Sequence, residues 1–221
     1  MNVNDALLAR KSTRAYLPKA VEEDKLTRIL DAARHAPSGT NTQPWQVAVV
    51  RGESKQRLQQ AMEEAFRAGE KGQMDYQYYP LDWQEPYKGR RKTCGLQMYQ
   101  TLEIAREDKQ RQIDQWAANY RAFDAPVMLL FFMDSVMQTG SYLDYGMFLQ
   151  SLMLMAAEEG LATCPQAALG EYPQIVKQVL GYPADSILLC GIALGYEDKG
   201  ALINSYRTAL EELGAFTRYF D

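Results

Sequence analysis

The chain has 221 residues, a formal net charge of −4, and is 47% hydrophobic and 24% charged, the make-up of an ordinary globular domain. This balance excludes a global attraction to nucleic acid or to an acidic membrane surface. The longest apolar runs, such as Val127–Met133, are too short to cross a bilayer, and the length suffices to bury a stable core without metal or disulfides.

The N-terminus, MNVNDALL, has no basic region followed by an apolar stretch, so no secretory leader is expected. Residues 3–10 form a helix candidate with Asn4 as its cap and Leu7 and Leu8 as its apolar side. The run Arg10-Lys11-Ser12-Thr13-Arg14 follows. It reads either as a solvated helix end, where cations suit the dipole, or as an anion site of guanidinium forks and a hydroxyl. Residues 22–35 make an amphipathic helix with Leu26, Ile29, Leu30 and Ala33 inward. The single histidine, His35, ends it as a cation at a helix terminus. A Ser38–His35 nucleophile pair lacks a third group.

Residues 36–45, APSGTNTQPW, form a polar loop between two prolines and a tryptophan. Residues 46–51 read as a strand, and 54–68 as a helix with Leu58, Met62, Ala65 and Phe66 inward. Residues 69–92 carry four tyrosines, a tryptophan and interleaved charges without a period. An ordered loop or broken helix of that length reads as a lid or interface element. Arg90, Arg91 and Lys92 within it either attract a carboxylated aromatic or form a solvated charge run.

Residues 94–118 look helical, with Leu96, Tyr99, Leu102, Ile113 and Trp116 inward. Val127–Met133 is a strand covered on both faces. Residues 140–159 form the most apolar helix, central or in contact with another subunit. Residues 161–169 read as a small-residue loop, and 171–180 as a helix with Pro173 near its start and Gly181 past its end. Residues 187–194 read as a second buried strand. The alternation in Phe216-Thr217-Arg218-Tyr219-Phe220 suits a strand added to a sheet edge, including a partner's.

No dinucleotide, P-loop, zinc-protease or nucleophile-elbow motif is present. One histidine and three cysteines without CxxC spacing, Cys94, Cys164 and Cys190, argue against a transition-metal site and for reduced thiols in a cytoplasmic chain. Redox or group-transfer chemistry would then belong to an organic cofactor.

Four stretches, in order, resemble the FMN-dependent nitroreductase family: RKSTR at 10–14, PSGTNTQPW at 37–45, GLATCPQ at 160–166, and Leu194-Gly195-Tyr196 followed by Asn204 and Arg207. The resemblance spans nearly the whole chain. It implies an α+β fold with a central mixed β-sheet flanked by helices, in an intertwined homodimer with two FMN molecules at the interface. It further implies one domain over 1–221, with a lid insertion at 69–93 and a dimer-exchanging tail at 201–221.

By the same resemblance, Arg10, Ser12 and Arg207 hold phosphate and ribityl oxygens, with Lys11 contributing at least its backbone N–H. Arg14 faces the pyrimidine edge, where a cation stabilises charge on the reduced ring. Pro37, Ser38 and Asn41 lie over the ring of the partner subunit. Pro165, Gln166, Ala167 and Ala168 line the other edge, where a backbone N–H meets N5. The implied activity is reduction of nitroaromatics, quinones or similar small aromatic acceptors by NADH or NADPH. It proceeds through ping-pong hydride transfer with no catalytic side chain beyond the electrostatic role of Arg14. A flavin-binding sensor or store without turnover, and a related flavin enzyme for dehalogenation or heterocycle oxidation, are the alternatives. The family's Asn/Lys pair in the lid region has no counterpart here.

Overall fold

The sheet is organised around β2 (Val127–Met133), buried along its whole length. The computed structural model describes residues 1–220. β1 (Gln46–Val50) and β4 (Ile187–Gly195) flank β2, and β3 (Ala162–Gln166) closes the order β1-β2-β4-β3. The resemblance implies a mixed sheet. The named strands instead pair antiparallel throughout, and parallel pairing enters only at the Ser12–Thr163 bridge. Strand alternation sends Val127, Leu129, Phe131 and Met133 to one face and Met128, Leu130 and Phe132 to the other. α2 (Glu23–Ala33) and α6 (Gly140–Glu158) cover the first face, and α3 (Gly52–Arg67) and α7 (Pro173–Leu180) the second. That double cover is why the strand reads as an unbroken apolar run.

Two glycines are required by geometry. Gly181 ends α7 in the left-handed region with φ 72°. A Cβ on Gly191 would lie 2.9 Å from the Leu129 carbonyl oxygen, so β4 can pass between β2 and Leu169 only without a side chain there.

Several expectations change. α1 spans Val3–Ala9, and its cap is Asn2, whose side chain accepts from Asp5 N at 2.9 Å; Asn4 lies inside the helix. Leu7 and Leu8 are exposed and Ala6 is the buried contact. The long helix expected over 94–118 is two: α4 (Tyr87–Thr101), which takes over the end of the lid region, and α5 (Lys109–Ala117). Leu96, Ile113 and Trp116 are exposed: α4 lies on the surface with no buried residue, and α5 buries only Ala117. The small-residue loop at 161–169 is the edge strand β3 followed by a 3-10 turn at Ala167–Gly170. Residues 216–220 form no strand.

The segment expected to be a lid is fixed at its start. β3 pairs only with Gly191–Gly195, leaving the start of β4 with an open edge. Asp75 Oδ2 accepts Leu188 N at 2.9 Å, and Tyr76 Oη donates to the Leu189 carbonyl at 2.8 Å. Side chains therefore satisfy edge groups that a neighbouring strand would have taken. Asp75 also pairs with the buried Lys177 at 2.9 Å. The tip stays outside: Leu81 is 92% exposed.

Candidate functional site

Past α1 the chain becomes extended and lies beside β3. Thr13 N donates to the Thr163 carbonyl at 3.0 Å, and Ser12 bridges Thr163 in parallel. Asn204, buried, clamps this segment from the other side. Its Oδ1 accepts Arg14 N at 2.8 Å, and its Nδ2 donates to the carbonyls of Ala15 and Asp198, each at 2.9 Å. One side chain thus satisfies three backbone groups of two irregular segments, a fixed frame for the basic run.

Extended backbone sends alternate side chains to opposite faces. On one face are Ser12 and Arg14, both felt by the thiol of Cys164, which burial pushes up to about 11. On the other are Lys11 and Thr13, facing a cavity of about 230 Å³ floored by Met153, Ala157 and Leu161. Lys11 Nζ lies 2.7 Å from Glu197 and donates to the Asn204 carbonyl at 2.6 Å. Its side chain is therefore not a free cofactor ligand, and only its backbone N–H is available for that role. Thr13 Oγ1 is buried without a partner.

Arg10, Arg14 and Arg207 have no carboxylate partner among the described residues, although most arginines elsewhere in the chain are ion-paired. Arg207 donates to the carbonyls of Ala9 (2.7 Å) and Arg10 (3.3 Å). The end of α1 thereby gains a cation suited to its dipole, and the guanidinium is held beside Arg10. Arg14 donates to the Ser12 carbonyl at 3.2 Å and stands 6.0 Å from the centroid of Phe123. Ala122, Phe123 and Asp124 all have φ between 52° and 59°, a left-handed turn that costs energy in non-glycine residues and presents the Phe123 ring to Arg14.

Pro165 is exposed and Ala167 and Ala168 are half-buried along the same edge. Gln166 turns inward. It is buried, and its Nε2 donates to Asn119 O at 3.0 Å and Asn119 Oδ1 at 3.2 Å. Only its backbone remains for a ligand. The Gln166 side-chain oxygen is a second buried acceptor without a partner.

The 36–45 loop is held to α6. Gly39 N donates to Asp144 at 3.1 Å, Gln46 N to the Tyr145 hydroxyl at 2.8 Å, and Trp45 stacks on Phe148 with centroids 4.9 Å apart. Tyr145 also donates to the Phe132 carbonyl. Ser38 Oγ accepts Gln43 N at 2.9 Å, leaving its own O–H free to donate. Thr40, Asn41 and Gln43 have φ of 49°, 59° and 48°. Pro37 and Asn41 are exposed.

The 36–45 loop and the basic run at 10–14, called the cradle below, occupy opposite corners of the sheet. Gln46, just after the loop, pairs with Phe132 on the β1 edge. Ser12 bridges Thr163, which pairs with Leu194, which pairs with Val127. Strand rise and spacing put the two about 17 Å apart along the strands and about 19 Å across them. α6 gives a second ruler: it holds the loop through Asp144 and floors the Lys11 cavity through Ala157, about 20 Å further along its axis.

The expected residues thus fall into two groups that one chain does not bring together. Asn204, Phe123 and Asp144 emerge as positioning residues. No local pattern singled out Phe123 or Asp144, whereas Asn204 belonged to the motif without a stated task. Iodoacetamide at pH 8 should alkylate exposed Cys94 in the native protein and reach Cys164 only after unfolding, because burial keeps Cys164 protonated. Peptide mapping of both labelled states checks this, and fast native labelling of Cys164 would contradict it.

The donor set suits a flat anion-bearing cofactor: three unpaired guanidinium groups and a hydroxyl for a phosphate and ring edge, with small side chains along the adjoining strand. The model of the Nitroreductase family matches residues 7–196. The chain is 36% identical to a 4-nitrobenzoate reductase of Pseudomonas putida, over 97% of this chain and 94% of that protein. It is 34% identical to a nitrobenzene nitroreductase of Ectopseudomonas oleovorans, over 98% and 96%. Among solved structures, the FMN and NADPH-dependent nitroreductase NfnB from Sphigopyxis sp. strain HMH superposes with a TM-score of 0.97 at 38% identity, covering 100% of both chains.

Proposed function

The chain belongs to the nitroreductase family, and we propose that it is an FMN-dependent nitroreductase that uses NAD(P)H to reduce small nitroaromatic acceptors as a homodimer. The observation that carries this reading is the set of cations without a carboxylate partner, Arg10 and Arg14 about the segment clamped to the sheet edge by Thr163 and Asn204, and Arg207 held beside Arg10. When bound, FMN would supply two-electron redox chemistry between the nicotinamide and the acceptor, in a ping-pong order.

The chain's own residues bind, orient and exclude water. Arg10 and Arg207 meet the phosphate, with Ser12 Oγ donating. Arg14, backed by the Phe123 ring, faces the pyrimidine edge. Its fixed charge there requires no reorganisation when negative charge develops. Gln166 supplies backbone only, and Pro165, Ala167 and Ala168 keep the ring edge approachable. No protonatable side chain is needed as nucleophile.

Pro37, Ser38 and Asn41 serve the site of the partner subunit. Support comes from the corner-to-corner distance within one chain and from the exposed apolar surface: Leu143 and Met147 on α6, Val3 and Leu7 on α1, and Leu210, Phe216, Tyr219 and Phe220 in the tail. Apolar exposure on that scale marks an interface. The 201–221 tail is then the element that exchanges between subunits, and 69–93 the lid over the acceptor site.

Titration of the apoprotein with FMN should generate bound-flavin absorbance. The holoenzyme should sediment as a dimer and oxidise NADPH in the presence of nitrobenzene. Absence of flavin binding would refute the reading, and a flavin-loaded monomer would refute the assignment of the 36–45 loop.

A further inference from the structure

We propose that Arg91 is the receptor for a carboxylate on the aromatic acceptor, so that anionic nitroarenes are the preferred substrate class; this rests on the nitroreductase reading above. Four observations lead to it.

Arg91 differs from Arg90 in its charge balance and from Lys92 in standing over two aromatic rings. Arg90 is neutralised by Glu211 at 2.8 Å. Arg91 has no carboxylate within ion-pair distance among the described residues. Its guanidinium stands 5.1 Å from the Trp83 centroid and 5.9 Å from that of Tyr79. Aromatic stacking orients a guanidinium while leaving its N–H edge unused. A merely solvated arginine would lack that orientation.

Both ends of its surroundings lead to the cradle. Toward the C-terminal half of α4, Gln97 Nε2 donates to the Arg207 carbonyl at 3.1 Å. The hydroxyl of Tyr206, raised by burial, is affected by Arg14, by Cys94 of α4 and by Cys164 under Ser12. Cys94 lies three positions beyond Arg91, on the same helical face. Toward the other end, the phenol of Tyr79 is raised by burial and feels both Arg91 and Glu171. Glu171 directly follows the Ala167–Gly170 turn and accepts Gln73 N at 2.8 Å through its carbonyl. Geometry thus ties the C-terminal half of α4 to Arg207 and the start of the 69–86 segment to the end of the Ala167–Gly170 turn, and Arg91 lies along the chain between these two anchors.

The lid base is rigid enough to hold such a receptor. Asp75 and Tyr76 fix it to β4, and Tyr76 continues through Tyr78 and Tyr79 to Trp83, with successive centroids 6.0, 4.6 and 5.6 Å apart. The guanidinium fork matches a carboxylate in a bidentate contact. A ring carrying the nitro group at one end and a carboxylate at the other is then aligned with its reducible end toward the cradle.

The test compares 4-nitrobenzoate with nitrobenzene in the FMN-loaded enzyme, wild type against Arg91→Met and Arg91→Lys. Arg91→Met should lower the ratio of kcat/KM for the acid over the neutral compound roughly 10- to 100-fold, the scale of one charge-assisted contact. Arg91→Lys should retain part of it. A readout without turnover is the perturbation of bound-flavin absorbance by benzoate and by benzamide. Benzoate should bind more tightly in the wild type and lose that advantage in Arg91→Met. A proportional loss for both substrates would make Arg91 structural and overturn the proposal. A raised KM for NADPH relative to NADH, with the acid-to-neutral ratio intact, would also overturn it and assign the cation to the nucleotide phosphate. Benzoate discrimination in a protein that turns over neither nitroarene would sink the nitroreductase reading while sustaining the carboxylate site.

Discussion

Asp75→Ala is expected to lower the unfolding free energy by about 3–5 kcal/mol, because it strands a buried cation. Lys177 is 4% exposed in its side chain, and its ammonium has two partners, Asp75 at 2.9 Å and the Ala184 carbonyl at 3.1 Å. Removing the carboxylate leaves a desolvated charge with one neutral acceptor and also frees Leu188 N on the open edge of β4. At this chain length each kcal/mol moves Tm by roughly 2–4 °C. Thermal unfolding of the holoprotein should show the full drop in Asp75→Ala and a much smaller one in the double variant Asp75→Leu, Lys177→Met, since an apolar pair leaves no stranded charge. Additive losses in that cycle would show that the two groups do not act as a pair. The same substitution loosens the start of the 69–93 segment, so on the lid role proposed for it KM for the acceptor should rise more than KM for NADPH.

Asn204→Ala should be nearly as damaging to the fold and more damaging to cofactor retention. It leaves Arg14 N and the carbonyls of Ala15 and Asp198 without their partner, a loss of about 2–4 kcal/mol from part-buried groups. The frame that sets the height of Arg14 above β3 goes with it. FMN affinity should fall by about tenfold or more, with an excess of apoprotein after dialysis, on the same 1.4 kcal/mol scale. FMN affinity unchanged in a destabilised Asn204→Ala variant would separate the clamp from the cradle and contradict the role given to it here. Lys11→Met is the useful comparison. It removes the ion pair with Glu197 on the far face of the strand and should affect FMN far less than Asn204→Ala.

The resemblance in the sequence points to Arg10, Arg14 and Arg207 as a group, and the structure leaves all three without a carboxylate partner among the described residues while giving each different neighbours. RKSTR was legible because it concentrates charge in a short extended run. Which of its side chains point toward β3's outer edge depended on pairing with Thr163, a residue 150 positions away. Gln166 and Lys11 illustrate the difference: each lies in the expected stretch, and each has its side chain engaged by residues from other parts of the chain. β3 itself reads locally as a loop, since a five-residue edge strand with a proline carries little apolar periodicity and forms because β4 offers it a ladder. The single long helix read over 94–118 fails for a related reason. Its charged middle is compatible with a helix locally, but Arg111 donates to the carbonyls of Leu102 and Glu103 and closes a turn there.

By itself, the sequence determined the elements whose burial is encoded locally: the seven-residue apolar β2, the amphipathic α2 and α3, and the Pro-started and Gly-ended α7. These depend on periodicity and backbone chemistry within a few residues. The tertiary structure alone decided the placement. Strand order puts the 36–45 loop and the cradle at opposite corners, left-handed backbone at 122–124 carries Phe123 to Arg14, and Asn204 joins two segments that share no local pattern. Each of these rests on hydrogen bonds or packing between residues distant in the chain, for which no short stretch of sequence carries the signal.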